Sequence, residues 1–211
     1  MSLVSAQMHR RTRRPGLVDP NVRGMPIGNI STDTDNADPA SLSHDNNGNA
    51  LYSAVVANTG ANSSSPTYDG DSMTKEFDLE SPDTWVSYLL NPSDGVNTWS
   101  ENFSYSIDYA AVVVSIKGVS SIGNTNSASG SDNNRTVSVN TTSGSVLVAT
   151  VGWTFAESVT PGAGMNEIAS IDQSNRYHWC GWKYGDGGNV TLEATFSSSN
   201  TWQMTVVEFV R

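Results

Sequence analysis

The chain has 211 residues, is 36% hydrophobic and 15% charged, and carries a formal net charge of −10. Its single cysteine, Cys180, leaves no intramolecular disulfide, and no run of about 18 apolar residues could span a bilayer as a helix. These features argue against a disulfide-stapled secreted scaffold and against a helical membrane protein, so stability is expected to come from a core and from assembly.

Charge is unevenly divided along the chain. Residues 1–23 hold Arg10, Arg11, Arg13, Arg14 and Arg23 against the lone Asp19, a net +4, which leaves −14 for the remainder. Two parts with different partners are expected. The opening "MSLVSAQMHRR" does not read as a secretory signal, because its charges follow the short apolar stretch instead of preceding it. An Arg-rich, acid-poor start has a second reading, an organelle transit peptide.

Residues 15–49 contain Pro15, Pro20, Pro26 and Pro39, several glycines and no sustained apolar period. The prolines keep the segment out of helix and bias the residues before them to extended conformations. Residues 1–49 therefore read as an extended arm with a basic tip, and Met25, Ile27 and Ile30 as its apolar anchors. The tip suits an acidic protein surface; phosphate contacts with nucleic acid and a solvated tail are the other readings. The −14 body opposes nucleic acid, although an extended arm can hold such a body beyond a screening length of about 10 Å.

From Ala50 onward the text consists of short β-branched or aromatic runs separated by Gly, Asn, Asp and Ser: "ALYSAVVAN", "SMTKEF", "TWVSYLLN", "WSENFSYS", "YAAVVVSIK", "RTVSVN", "SVLVATVGW", "RYHWCGWKY", "NVTLEATF" and "WQMTVVEFV". In the ninth, Val190, Leu192, Ala194 and Phe196 alternate with Thr191, Glu193 and Thr195, the period of a strand with one buried and one wet face. The expectation is an all-β fold: an antiparallel, jelly-roll-like β-sandwich over residues 50–211, preceded by the extended N-terminal arm.

Four stretches resemble the β-sandwich domains of bacteriophage virion proteins and bacterial surface proteins. They are "SPTYDGDSMTKEF" with an Asp69-Gly70 turn, "WVSYLLNPSDGVNTW", "YAAVVVSIKGVSSIG" and "TVSVNTTSGSVLVATVGW", in this order along the chain. The resemblance implies a non-enzymatic structural role in a virion assembled in the host cytoplasm. The sharpest version is a capsid decoration or cement protein, homo-oligomeric, whose arm binds the major capsid protein or another virion protein. The alternative is a receptor-binding head or tail fibre domain recognising host glycan.

The residues with chemical potential point the same way. Only His9, His44 and His178 could serve a nucleophile as base, and "GVSSIG" is one residue too long for a nucleophile elbow. Cys180 reads as a small buried side chain. Glu157, Glu167 and Asp172 could in principle flank a sugar, but nothing in their spacing brings them together. "DTDNAD", with Asp33, Asp35 and Asp38, is oxygen-rich, yet it lacks the Gly and the closing Glu of a calcium loop and reads as a solvated acidic stretch. No metal or cofactor is expected. Tyr177, Trp179 and Trp182 in "RYHWCGWKY" read either as core or as a sugar platform; with one face of the strand in the core, at most one aromatic set is free.

Overall fold

A computed structural model describes residues 24–57, 60–155, 158–173 and 176–211, and every regular element among them is a β-strand. The first half of the chain forms β1 (Ile27–Ala37), β2 (Ala40–Asn46), β3 (Ala50–Ala57), β4 (Thr67–Tyr68), β5 (Asp71–Ser72), β6 (Thr74–Leu79), β7 (Asp83–Leu90), β8 (Gly95–Glu101) and β9 (Ile107–Ile116). The second forms β10 (Ser121–Gly130), β11 (Asn134–Thr141), β12 (Val146–Thr154), β13 (Val159–Pro161), β14 (Asn166–Gln173), β15 (Arg176–Tyr184), β16 (Gly188–Phe196) and β17 (Trp202–Val210).

Each half is an antiparallel sandwich. In the first, a sheet in the order β1-β9-β3-β7-β6 covers a sheet in the order β2-β8-β4-β5; in the second, β10-β17-β12-β15-β14 covers β11-β16-β13. Successive strands cross between the layers in the interleaved manner of a jelly roll. The expected fold class therefore holds, and it holds twice. The expected boundary shifts with it. β1 and β2 lie inside the stretch read as arm, β1 paired with β9 from Ile27 to Ala37 and β2 with β8 from Ala40 to Asn46.

The halves repeat each other in detail. Ile27-Gly28-Asn29 and Ile122-Gly123-Asn124 open β1 and β10, and both strands are bulged directly after the isoleucine. The bulge brings backbone close to a side chain: a Cβ at Gly28 would lie 2.1 Å from Asn47 Oδ1, and one at Gly123 2.2 Å from Glu208 Oε2. Those oxygens accept the N–H groups of Asn29 and Asn124, while the two asparagine side chains donate to the carbonyls of Asp45 and Asn140. Second bulges sit between Lys75 and Phe77 in β6 and between Glu167 and Ala169 in β14. Trp85 stands opposite Val55, and Trp179 opposite Val151.

The two five-stranded sheets pack against each other. Tyr52, Ala54, Val86, Val112 and Val114 of the first meet Val148, Cys180, Trp182, Val207 and Phe209 of the second in one core, and each sandwich has a further core of its own, around Trp85 and Trp99 and around Trp153 and Trp179. A sheet covered on both faces needs apolar residues at every position, which is why β3, β9 and β12 are buried almost end to end. The outer sheets keep a wet face, so β16 alternates as its sequence indicates and β2 alternates as well. At Gly152 the central sheets approach so closely that a Cβ would lie 2.6 Å from Thr84 Oγ1. The Asp69-Gly70 hairpin forms between β4 and β5, with both turn residues at positive φ, 54° and 85°.

Candidate functional site

Strand directions give the molecule two distinct ends. Ile27, Ala50, Leu90 and Ile116 align at one end of the first central sheet, and Val146, Tyr184 and Phe209 at one end of the second. These ends coincide. Ser120 N–H donates to the Val210 carbonyl and Lys117 N–H to the Pro26 carbonyl there, so the start of β1, the link between the halves and Arg211 lie together. At the opposite end Gln203 Nε2 of the second half donates to the Glu80 carbonyl of the first.

The N-terminal segment joins the proximal end, at Gly24. Arg10, Arg11, Arg13, Arg14 and Arg23 fall outside the described residues. Met25 is 70% exposed and Ile30 43% exposed, and both stay available as apolar contacts. Ile27 does not: it is buried in the central core opposite Ile116, because β1 belongs to the sheet and its first inward position must be apolar.

Among the described residues, the distal end carries 60–66, 80–82 and 102–106 of the first half and 155, 158 and 197–201 of the second. Tyr105 is 49% exposed and Phe155 61% exposed in these loops. Phe155 has φ of 77°, a backbone conformation that costs a bulky residue energy. A shallow groove of about 150 Å³, lined by Gly60, Ala61, Asn62, Glu80, Ser81 and Asp83, opens at the same end. Asp83 accepts the Ala61 N–H at 3.1 Å, and burial raises its pKa. No sequence signal singles out Tyr105 or Phe155 beyond an aromatic residue among turn formers.

The aromatic strand β15 presents no free ring at Trp179 or Trp182. Trp179 packs in the second sandwich and donates its indole N–H to Glu167 Oε2 at 3.0 Å; Trp182 packs in the central core, edge-on to Tyr184. Tyr177 is half-buried and stacks on Trp153 with centroids 5.5 Å apart. The premise that one face of this strand could be wet fails, since a sheet lies against each face.

Several buried polar side chains are hydrogen-bonded to one another. His44 joins Ser31 Oγ at 2.9 Å and Ser115 Oγ at 2.8 Å, and Ser115 donates in turn to Asn46 Oδ1. This juxtaposes a hydroxyl and an imidazole, but Ser115 and His44 have no solvent exposure, and burial lowers the His44 pKa to about 4. His178, bonded to the Ala110 carbonyl at 3.1 Å, is also lowered to about 4 by burial, and burial pushes the Cys180 thiol up to about 12. Arg135 is buried with its guanidinium over the Phe196 ring, 3.2 Å from the centroid. Among the described residues no group of three or more His, Cys, Asp or Glu side chains is arranged to hold a metal ion.

The class these observations define is a tandem, back-to-back β-sandwich protein with one end joined to a basic segment and the other bearing exposed aromatic loops. No known protein family, curated protein or solved structure matches the chain.

Proposed function

We propose that the chain is a non-enzymatic structural protein of a phage virion, a capsid decoration or cement protein held on the major capsid protein or another virion protein by its N-terminal segment. The observation that carries this reading is the polarity of the molecule: the basic segment joins at the end opposite the aromatic loops, so docking through it points those loops outward. The acidic body keeps displayed copies apart, and basic and apolar residues near the junction supply attachment. Deleting residues 1–23 is expected to abolish particle occupancy in a sedimentation assay while leaving the near-ultraviolet circular dichroism of the body unchanged. Full occupancy by the deletion variant would sink the proposal.

Tyr105 and Phe155 favour a second reading, a fibre-type receptor-binding domain, because exposed rings at a distal tip suit stacking on sugar faces. A glycan array probed with the full chain and with a Tyr105→Ala/Phe155→Ala variant separates the two. Specific hits lost in the variant support the receptor reading; a blank array supports decoration.

A further inference from the structure

Glu101 ends β8 at the distal end of the first sandwich, with only 1% of its surface exposed and Ala40 of β2 opposite it. The repeat sets this pair off. Asn29 and Asn124 donate to the carbonyls of Asp45 and Asn140, which matches β2 with β11 and brings the Ala40–Glu101 pair into register with Arg135–Ala194. Each outer sheet thus buries one ionisable side chain on the same rung. In the second half it is an arginine, charged at every pH; in the first it is a carboxyl, which can gain or lose a proton.

Residues 60–65 lie against this carboxyl. Ser63 forms a bridge with Phe103, and its hydroxyl, which has one hydrogen, is within reach of two acceptors, the Ser64 carbonyl at 2.8 Å and Glu101 Oε1. A protonated Glu101 satisfies both: its own hydrogen goes to Ser63 Oγ and the serine hydrogen to Ser64. An ionised Glu101 takes the serine hydrogen and leaves the Ser64 carbonyl without it. Among the described residues the cation acting on Glu101 is Lys75 of β6, which is already engaged by the Ser63 carbonyl and by Asp78 Oδ2 at 3.3 Å. Asp78, which also accepts the Trp85 indole N–H at 2.7 Å, acts against ionisation. The other carboxylates of this end are turned to backbone: Asp83 of β7 accepts the Ala61 N–H at 3.1 Å, and Asp38, between β1 and β2, the Phe103 N–H at 2.8 Å. Burial outweighs Ser63 and Lys75 and raises Glu101 to about 7.

The segment over Glu101 is held mainly by hydrogen bonds. Ala61 is the one buried side chain of residues 60–65; Asn62 N–H donates to Ser104 Oγ at 3.1 Å, Ser104 N–H to the Asn62 carbonyl at 2.9 Å, and Ser64 N–H to the Asn102 carbonyl at 3.0 Å. A segment with so little buried apolar surface opens at lower cost than the sandwich unfolds. The same bonds support the loop that carries Tyr105. We propose that residues 60–65 are a pH-sensitive latch, closed while Glu101 carries its proton and released, together with its hold on the Tyr105 loop, once that proton is lost. In the closed form Glu101 keeps its proton up to about pH 7, whereas in the open form water restores the ordinary carboxyl value of 4.5. Closure is therefore fully favoured below pH 4.5 and loses ground as the pH rises through 7. The latch works in this way whether or not the chain belongs to a virion.

Amide hydrogen exchange followed by NMR in the full chain and in its Glu101→Gln variant tests the latch. Glutamine keeps a partner for Ser63 but cannot ionise, and the intrinsic pH dependence of exchange cancels in the ratio of the two proteins. Between about pH 4.5 and about pH 8, exchange at Asn62, Ser64 and Ser104 is expected to rise about hundredfold in the unaltered chain relative to the variant, with no such rise in β3, β9 or β12. A carbon-13 titration of the Glu101 carboxyl in the unaltered chain, which does not depend on the variant folding, should have its midpoint near 7. Equal exchange in the two proteins at every pH overturns the proposal. So does a rise shared equally by β3, which would mean that the whole sandwich opens, or a carboxyl midpoint near 4.5.

Discussion

At the scale of single residues, the buried titratable groups set the pH response. His44 and His178 have pKa values lowered by burial to about 4, so each lends stability that is complete above pH 6.5 and is lost as the pH falls toward 4. Glu101 acts in the opposite sense. Burial raises it to about 7 despite the hydrogen bond from Ser63 and the nearby Lys75, so its contribution is complete below pH 4.5 and is lost as the pH rises through 7. Such a shift corresponds to about 3 kcal/mol. Glu101→Gln, which keeps a partner for Ser63, is therefore expected to raise stability at pH 8 by about 2–3 kcal/mol and to leave it unchanged at pH 4. Urea unfolding of both proteins at the two pH values checks this. An equal gain at both would mean that Glu101 is not neutral in the acid form of the fold.

At the scale of elements, β1 and β2 show where sequence pattern misleads. β2 alternates perfectly between buried and exposed, but its inward residues are Ala40, Leu42, His44 and Asn46, and half of that face is polar. It reads as a strand only once Ser31 and Ser115 are known to satisfy His44. β1 is similar: Asp33 points at Tyr109, a partner 76 positions away. Two truncations follow from this. A chain beginning at Gly24 should keep the melting temperature of the whole, whereas one beginning at Ala50 should lose cooperative unfolding, because β9 then has a bare edge and His44 no longer covers Ser115. A cooperative, soluble chain beginning at Ala50 would show that β1 and β2 are accessory.

At the scale of the whole molecule, the central core joins the sandwiches more firmly than a linker between domains would. Tyr52 of the first half donates to or accepts from Thr150 of the second at 2.6 Å, and its ring meets Phe209 edge-on. Neither five-stranded sheet can face water without exposing a continuous apolar surface. Unfolding is expected to be a single transition, with calorimetric and van't Hoff enthalpies equal for the 211-residue chain. Two resolved transitions would show that the halves fold as separate units and only touch. The same arrangement encloses the tryptophans of β15: in a lone sandwich one face of that strand would be wet, whereas here Trp182 packs in the central core and Trp179 in the second sandwich.

Strand type, the antiparallel character, the Asp69-Gly70 turn and the alternation in β16 were fixed by local sequence, because backbone preference and burial on one face act over a few residues. The repeat was not part of the expectation, which held one sandwich over residues 50–211; its traces in the sequence, Ile-Gly-Asn at 27–29 and 122–124 and the tryptophans at 85 and 179, are too few and too far apart to stand out until the two halves are superposed by strand register. Continuous apolar strands such as β3 and β12 announced burial without saying against what. Only the tertiary structure decided that the two sandwiches stand back to back, that Trp179 and Trp182 are enclosed, and that Tyr105 and Phe155 emerge together at the end away from Gly24. Those outcomes depend on contacts between residues far apart in the chain, where packing of whole sheets, and no local pattern, determines which face meets water.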